Sequence, residues 1–107
     1  MPEETISREQ FKLLCENLLK EAPTILKKRD KTDKSMDKKS ALLQALFLRL
    51  QEKLGLSTTN KVLSARGFKT YEFAYREAIY ELALEHAKAP FDYLKIVDSF
   101  LAKALKE

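Results

Sequence analysis

The sequence predicts an all-α fold: a single small bundle of four or five helices. Three observations carry this. Apolar residues recur three and four apart through several long segments, the spacing of one helix face. Two Gly and three Pro in 107 residues are too few for the tight turns of a sandwich or barrel. No alternating apolar–polar run competes as a strand. The length suits one domain spanning residues 1–107, and a chain this long buries roughly 65% of its unfolded surface without staples or metals.

Segment 7–22 reads as the first helix. Ser7 and Gln10 have capping-box spacing, and Phe11, Leu14, Leu18 and Ala22, flanked by Cys15, share one face. Pro23 lacks a donor and disfavours helical backbone at Ala22, so a break or kink is expected there, with Ile25 and Leu26 pointing inward on another turn or two. Residues 30–37 are expected to form an exposed lysine-rich loop whose end, Ser35 or Asp37, caps the next helix.

The second helix should run from Lys38 to Leu54, with Gly55 as its C′ residue. Leu42, Leu43, Leu46, Phe47, Leu50 and Leu54 make a wide apolar face, and Ala41, Ala45 and Leu48 make a second strip. A helix apolar on more than one side sits centrally in a bundle or has a partner. A short third helix is expected over 58–66, capped by Ser57 and stopped by Gly67.

Thr70 should cap a long helix over 71–87. Its core face is Tyr71, Ala74, Tyr75, Ala78, Ile79, Leu82 and His86, with Phe73, Tyr80, Leu84 and Ala87 roughly opposite. Glu77, Glu81 and Glu85 line up one turn apart between the two strips. Pro90 suits the first turn of a last helix over 90–106, whose face is Leu94, Val97, Leu101, Ala104 and Leu105, with Ile96 and Phe100 beside it. The expected core includes Leu14, Leu18, Leu46, Leu50, Ile79, Leu82, Val97 and Leu101.

Charge is uneven along the chain. Residues 1–26 hold three basic and five acidic side chains, residues 27–69 hold twelve and four, and residues 70–107 hold five and seven. This basic centre could bind anions. Lys27, Lys28, Arg29, Lys31, Lys34, Lys38, Lys39, Lys61, Arg66 and Lys69 are then the candidate phosphate contacts, because each neutralised phosphate releases counterions. Equally, a lysine-rich loop can be solvated decoration. No aromatic residue interleaves with the lysines of 27–39, and three Asp residues there would repel phosphate. Residues 58–78 have a helix-turn-helix outline, but Glu72, Glu77 and Glu81 on its second helix face a duplex poorly, and ordinary helical hairpins share the outline.

Other chemistries lack their residues. The lone histidine, His86, cannot make a histidine-based metal site, and it reads as a partly buried structural residue. The lone cysteine, Cys15, reads as a packed, inert thiol and excludes an internal disulfide. The glutamate ridge offers three similar environments rather than the unequal pair that acid–base catalysis uses. Gly55 and Gly67 cannot build a phosphate loop. No segment approaches the roughly 20 apolar residues of a membrane span, and the acidic opening MPEETISREQ is unlike an export signal.

The expected protein is therefore a cytoplasmic, non-enzymatic helical interaction module. It needs no cofactor, metal, membrane or small-molecule substrate. It binds another protein or itself, with a homodimer through Phe73, Tyr80 and Leu84 as the first expectation. The alternative is a nucleic-acid-binding protein using the basic centre at 27–69.

Overall fold

A computed structural model of the chain describes residues 5–32, 37–56 and 71–106. The described residues form four helices: α1 (Arg8–Thr32), α2 (Lys38–Lys53), α3 (Tyr71–His86) and α4 (Tyr93–Leu105). The architecture is all-α, and the described residues contain no strand beyond one isolated bridge. The short helix expected at 58–66, the Thr70 cap and residues 33–36 of the loop expected at 30–37 lie outside the described residues.

Local signals set the helix ends. The Gln10 backbone N–H donates to Ser7 Oγ at 3.1 Å and the Ser7 N–H donates to Gln10 Oε1 at 2.8 Å, the reciprocal bonds of a capping box. Asp37 caps α2 by accepting from the Ser40 N–H at 3.2 Å. At the far end of α2 the Gly55 N–H donates to the Glu52 carbonyl and the Leu56 N–H to the Gln51 carbonyl, at 3.1 and 2.9 Å. That double bond is a Schellman motif, and its C′ residue needs the left-handed backbone that Gly55 adopts at φ 70°.

The break expected at Pro23 is absent: α1 runs unbroken for 25 residues. The reason lies in which face the proline occupies. Pro23 and Thr24 are exposed, so the Leu19 carbonyl left without its donor faces the solvent side. The opposite face stays apolar across the proline. Phe11, Cys15, Leu18 and Ala22 are buried, and Ile25 and Leu26 pack against the core beyond it. Burying one such aliphatic side chain fully is worth about 1.5–3 kcal/mol, so two part-buried ones offset most of the ~3 kcal/mol that an interior proline costs. The helix consequently carries on to Thr32, and the first residues of the expected loop are helical.

α2 is the centre, as its two apolar strips predict. It packs most heavily against α1 and α3, while α4 packs chiefly on α1. Leu42, Leu43, Leu46 and Leu50 have no solvent exposure, and the second strip is covered too, with Ala41 buried and Ala45 and Leu48 half-buried. Of the expected core, Leu18, Leu46, Leu50, Ile79, Val97 and Leu101 are buried. Leu14 and Leu82 are only partly buried at its edge. α4 begins three residues after Pro90, at Tyr93, and that late start leaves Leu94 at its outer edge, 39% exposed, rather than on the buried face.

One tie was not foreseen. Ile6 is fully buried and pairs its backbone with the end of α3: its N–H donates to the His86 carbonyl at 2.9 Å, and its carbonyl accepts from the Lys88 N–H at 3.0 Å. An aromatic chain runs nearby, from Tyr80 to Tyr93 to Phe91 to Phe11, with successive ring centroids 5.5, 5.2 and 5.6 Å apart. Such contacts each add about 0.5–1.5 kcal/mol beyond burial. Together these features hold α3, α4 and the start of α1 to one another.

Candidate interaction surfaces

Three surfaces stand out. The first is the basic end. Because α1 continues past Pro23, Lys27 and Lys31 lie one turn apart on one side of its last turns, with Lys28 beside them, all exposed. Arg29 is half-buried, and its guanidinium binds Asp30 at 2.6 Å. Lys38 and Lys39 open α2 and are exposed. Lys34, Lys61, Arg66 and Lys69 lie outside the described residues. The cations on α1 suit the negative end of its dipole, whereas Lys38 and Lys39 stand at the positive end of α2, where a lysine is locally unfavourable.

The helix-turn-helix outline is described only from Tyr71 onward. Tyr75, a residue that geometry would turn toward bases, is 3% exposed and belongs to the core. Its hydroxyl accepts from Gln44 Nε2 at 2.9 Å and its ring lies 5.8 Å from Phe47.

The second surface is the outer face of α3. Phe73 and Leu84 are 50% and 59% exposed. Tyr80, between them, is half covered by the Tyr93 ring of α4. Glu77 and Glu81 are half-buried and Glu85 is exposed, forming an acidic edge beside this strip. At the base of α3, Arg76 reaches Asp98 of α4 at 2.6 Å.

The third surface is a cleft of about 270 Å³ between α1 and α4. Arg8, Lys12, Lys95 and Lys103 stand around it with Glu16 and Asp92. Arg8 Nε donates to Asp92 Oδ1 at 3.0 Å, and this hydrogen bond holds the Asp92 carboxyl below its ordinary value. Cys15 lies at the floor, where burial, reinforced by the Glu16 charge, pushes its thiol up to about 12. Cys15 is thus a neutral, apolar lining atom and not a nucleophile at ordinary pH. His86 is likewise mostly buried, with Nε2 4.0 Å from Glu85 Oε2. Among the described residues, no three His, Cys, Asp or Glu side chains gather where they could hold a metal. No described helix is long and apolar enough to cross a membrane.

The sequence reading missed the cleft. Its cations come from the two ends of the chain, each net acidic, and only the fold faces them across α1 and α4. The available signal was the one-turn spacing of Arg8 and Lys12 and the two-turn spacing of Lys95 and Lys103, which say nothing alone about which helices face. No protein-family model, curated protein or solved structure matches this chain, so its function has to be read from these residues.

Proposed function

We propose that this chain is a small non-enzymatic helical interaction module of the cytoplasm, and that the occupant of the outer face of α3 is a second copy of itself. The observation that carries the reading is the exposure of Phe73 and Leu84 at the two ends of one strip, with Tyr80 between them. Such a strip is self-complementary. An antiparallel pairing sets Phe73 against Leu84 of the second copy at both ends, as a two-fold interface requires. The chain also carries both halves of a charge pair: an acidic edge at Glu77, Glu81 and Glu85, and a basic end at Lys27, Lys28, Lys31, Lys38 and Lys39.

The test is mass in solution from about 10 to 500 μM, a range that spans ordinary dimer affinities. The expected result is a mass near twice 12.4 kDa, returning to the single-chain value in Phe73→Lys and Leu84→Lys. Both positions are exposed, so their fold stability should change by no more than about 0.5 kcal/mol. A single-chain mass at every concentration overturns the reading.

A second reading is supported by Lys38 and Lys39. Two lysines at the positive end of a helix dipole cost stability, about 0.3–1 kcal/mol each, and among the described residues the N-cap Asp37 offsets them at that end. Residues that oppose the fold locally are candidates for function. With Lys27, Lys28 and Lys31 they would bind a phosphate backbone with little regard to sequence. Affinity for duplex would then fall steeply with salt, and Lys27→Gln, Lys28→Gln and Lys31→Gln together would flatten that slope. No binding to duplex, single strand or RNA at about 50 mM salt, where the electrostatic attraction is strong, removes this reading.

A further inference from the structure

We infer that the cleft between α1 and α4 is a binding site for a small organic anion with an apolar body, of the class of a medium-chain carboxylate. The inference is independent of the α3 face, because it concerns other helices.

The cleft has the two halves such a ligand needs. Its floor is apolar: Leu19, Ile96, Phe100 and the neutral Cys15 thiol line it. Its rim is cationic, with four basic side chains against two carboxylates. Those charges are not equally committed. Arg8 is tied to Asp92, and Lys95 also acts on that carboxylate. Lys12 and Lys103 make no hydrogen bond or ion pair among the described residues, although Glu16 lies one turn from Lys12 and lines the same cleft. Ser99 adds a neutral hydroxyl among them. One carboxylate seated between Lys12 and Lys103 would take up this excess charge while its tail covers the floor.

Size narrows the class. Pockets for drug-sized ligands run from about 300 to 1,000 Å³, so a cleft of about 270 Å³ suits a ligand at the small end of that range. A partner helix fits less well, because a cleft of about 270 Å³ admits a short chain and not a helix about 10–12 Å across. Inorganic phosphate would use the rim and leave the floor wet. An anion with a short apolar body uses both.

The experiment is an amide NMR titration of the full chain with octanoate, with octanamide and inorganic phosphate as comparison ligands. Octanoate is expected to give saturable shifts confined to residues 8–19 and 92–103. Octanamide loses both lysine pairs, each worth about 1.5- to 5-fold in affinity, and should bind about fivefold more weakly; phosphate keeps the charge but has no apolar body to cover the floor, and should also bind more weakly. Lys12→Gln with Lys103→Gln should weaken octanoate about five- to tenfold by the same reasoning, and Glu16→Gln should tighten it severalfold. These side chains are at the surface, so each variant keeps the wild-type spectrum away from the cleft. Octanamide binding as tightly as octanoate, shifts centred outside the two helices, no saturable shift, or unchanged affinity in the double variant would each overturn the assignment.

Discussion

Replacing Pro23 with Ala should make the protein more stable, and the magnitude follows from where the proline sits. In α1 an alanine at 23 restores an N–H able to donate to the Leu19 carbonyl, on a face already exposed to solvent. An interior proline costs about 3 kcal/mol relative to alanine. Two corrections reduce the gain. The proline also stiffens the unfolded chain, which returns about 0.4–1 kcal/mol. The helix has already accommodated the ring on its open side. The net expectation is a stabilisation of about 1–2 kcal/mol, a rise of roughly 4–10 °C in Tm for a domain of this size. Urea unfolding followed by circular dichroism measures it, with the m-value checked for constancy. If α1 were instead broken at residue 22, the new N–H would have no helical acceptor. A change within about 0.5 kcal/mol of zero, or a loss, would therefore refute the continuous helix and restore the break that the proline alone implies.

The other predictions concern the core, a titration and a helix end. Leu46→Ala removes a side chain with no solvent exposure from the central helix and should cost about 2–5 kcal/mol in the same urea assay; a cost near zero would remove α2 from the centre of the core. The Cys15 thiol is raised from 9.0 to about 12 in the fold, so its contribution is complete below pH 9 and is lost as pH climbs toward 12. By pH 10 the wild type should have lost on the order of 1 kcal/mol more than Cys15→Ala relative to pH 7, and parallel pH profiles for the two proteins would contradict a buried neutral thiol. Lys38→Glu should raise stability by about 0.3–1 kcal/mol by reversing an unfavourable charge at the α2 N-terminus, read as a shift in the urea midpoint.

Much of the fold was legible because the helix ends are written locally. Ser7 with Gln10, Asp37 before α2 and Gly55 after it each specify a terminus within four residues, and all three form the bonds their residue types imply. What the sequence hid depends on tertiary burial. The rule that proline ends helices weighs one residue, whereas the outcome at Pro23 turns on Ile25 and Leu26 finding a core beyond it. Ile6 lies outside any periodic segment, so nothing marks it as buried until its backbone meets the end of α3. Leu94 fails for a subtler reason: a helix begun at Tyr93 instead of Pro90 leaves that side chain in the first turn, at the edge of the packed face. The α1–α4 cleft was the least accessible of all, since its Arg8–Asp92 tie joins residues 84 positions apart.

Charge counting along the chain and charge placement in the fold therefore disagree in an instructive way. The middle of the chain is basic and both ends are net acidic, yet the ends assemble a cationic cleft. They do so because many of their acids are drawn elsewhere. Glu21 binds Arg49 on α2, Asp98 binds Arg76 on α3, and Glu77, Glu81 and Glu85 follow the edge of α3. Lys12 and Lys103 are left facing a cleft where Glu16 is the nearby acid outside the Arg8–Asp92 pair. Folding gains little from cations arranged that way, and little from a Leu84 left mostly in water or a lysine pair at a positive helix end. Most else described in the chain, from its caps to its leucine-filled centre, agrees with the fold, Pro23 inside α1 and the buried, unpartnered Gln51 Oε1 aside. The exposed positions that depart from that agreement are few, and they fall on separate surfaces. A protein whose fold is this consistent elsewhere has most reason to keep such residues for what they meet in solution.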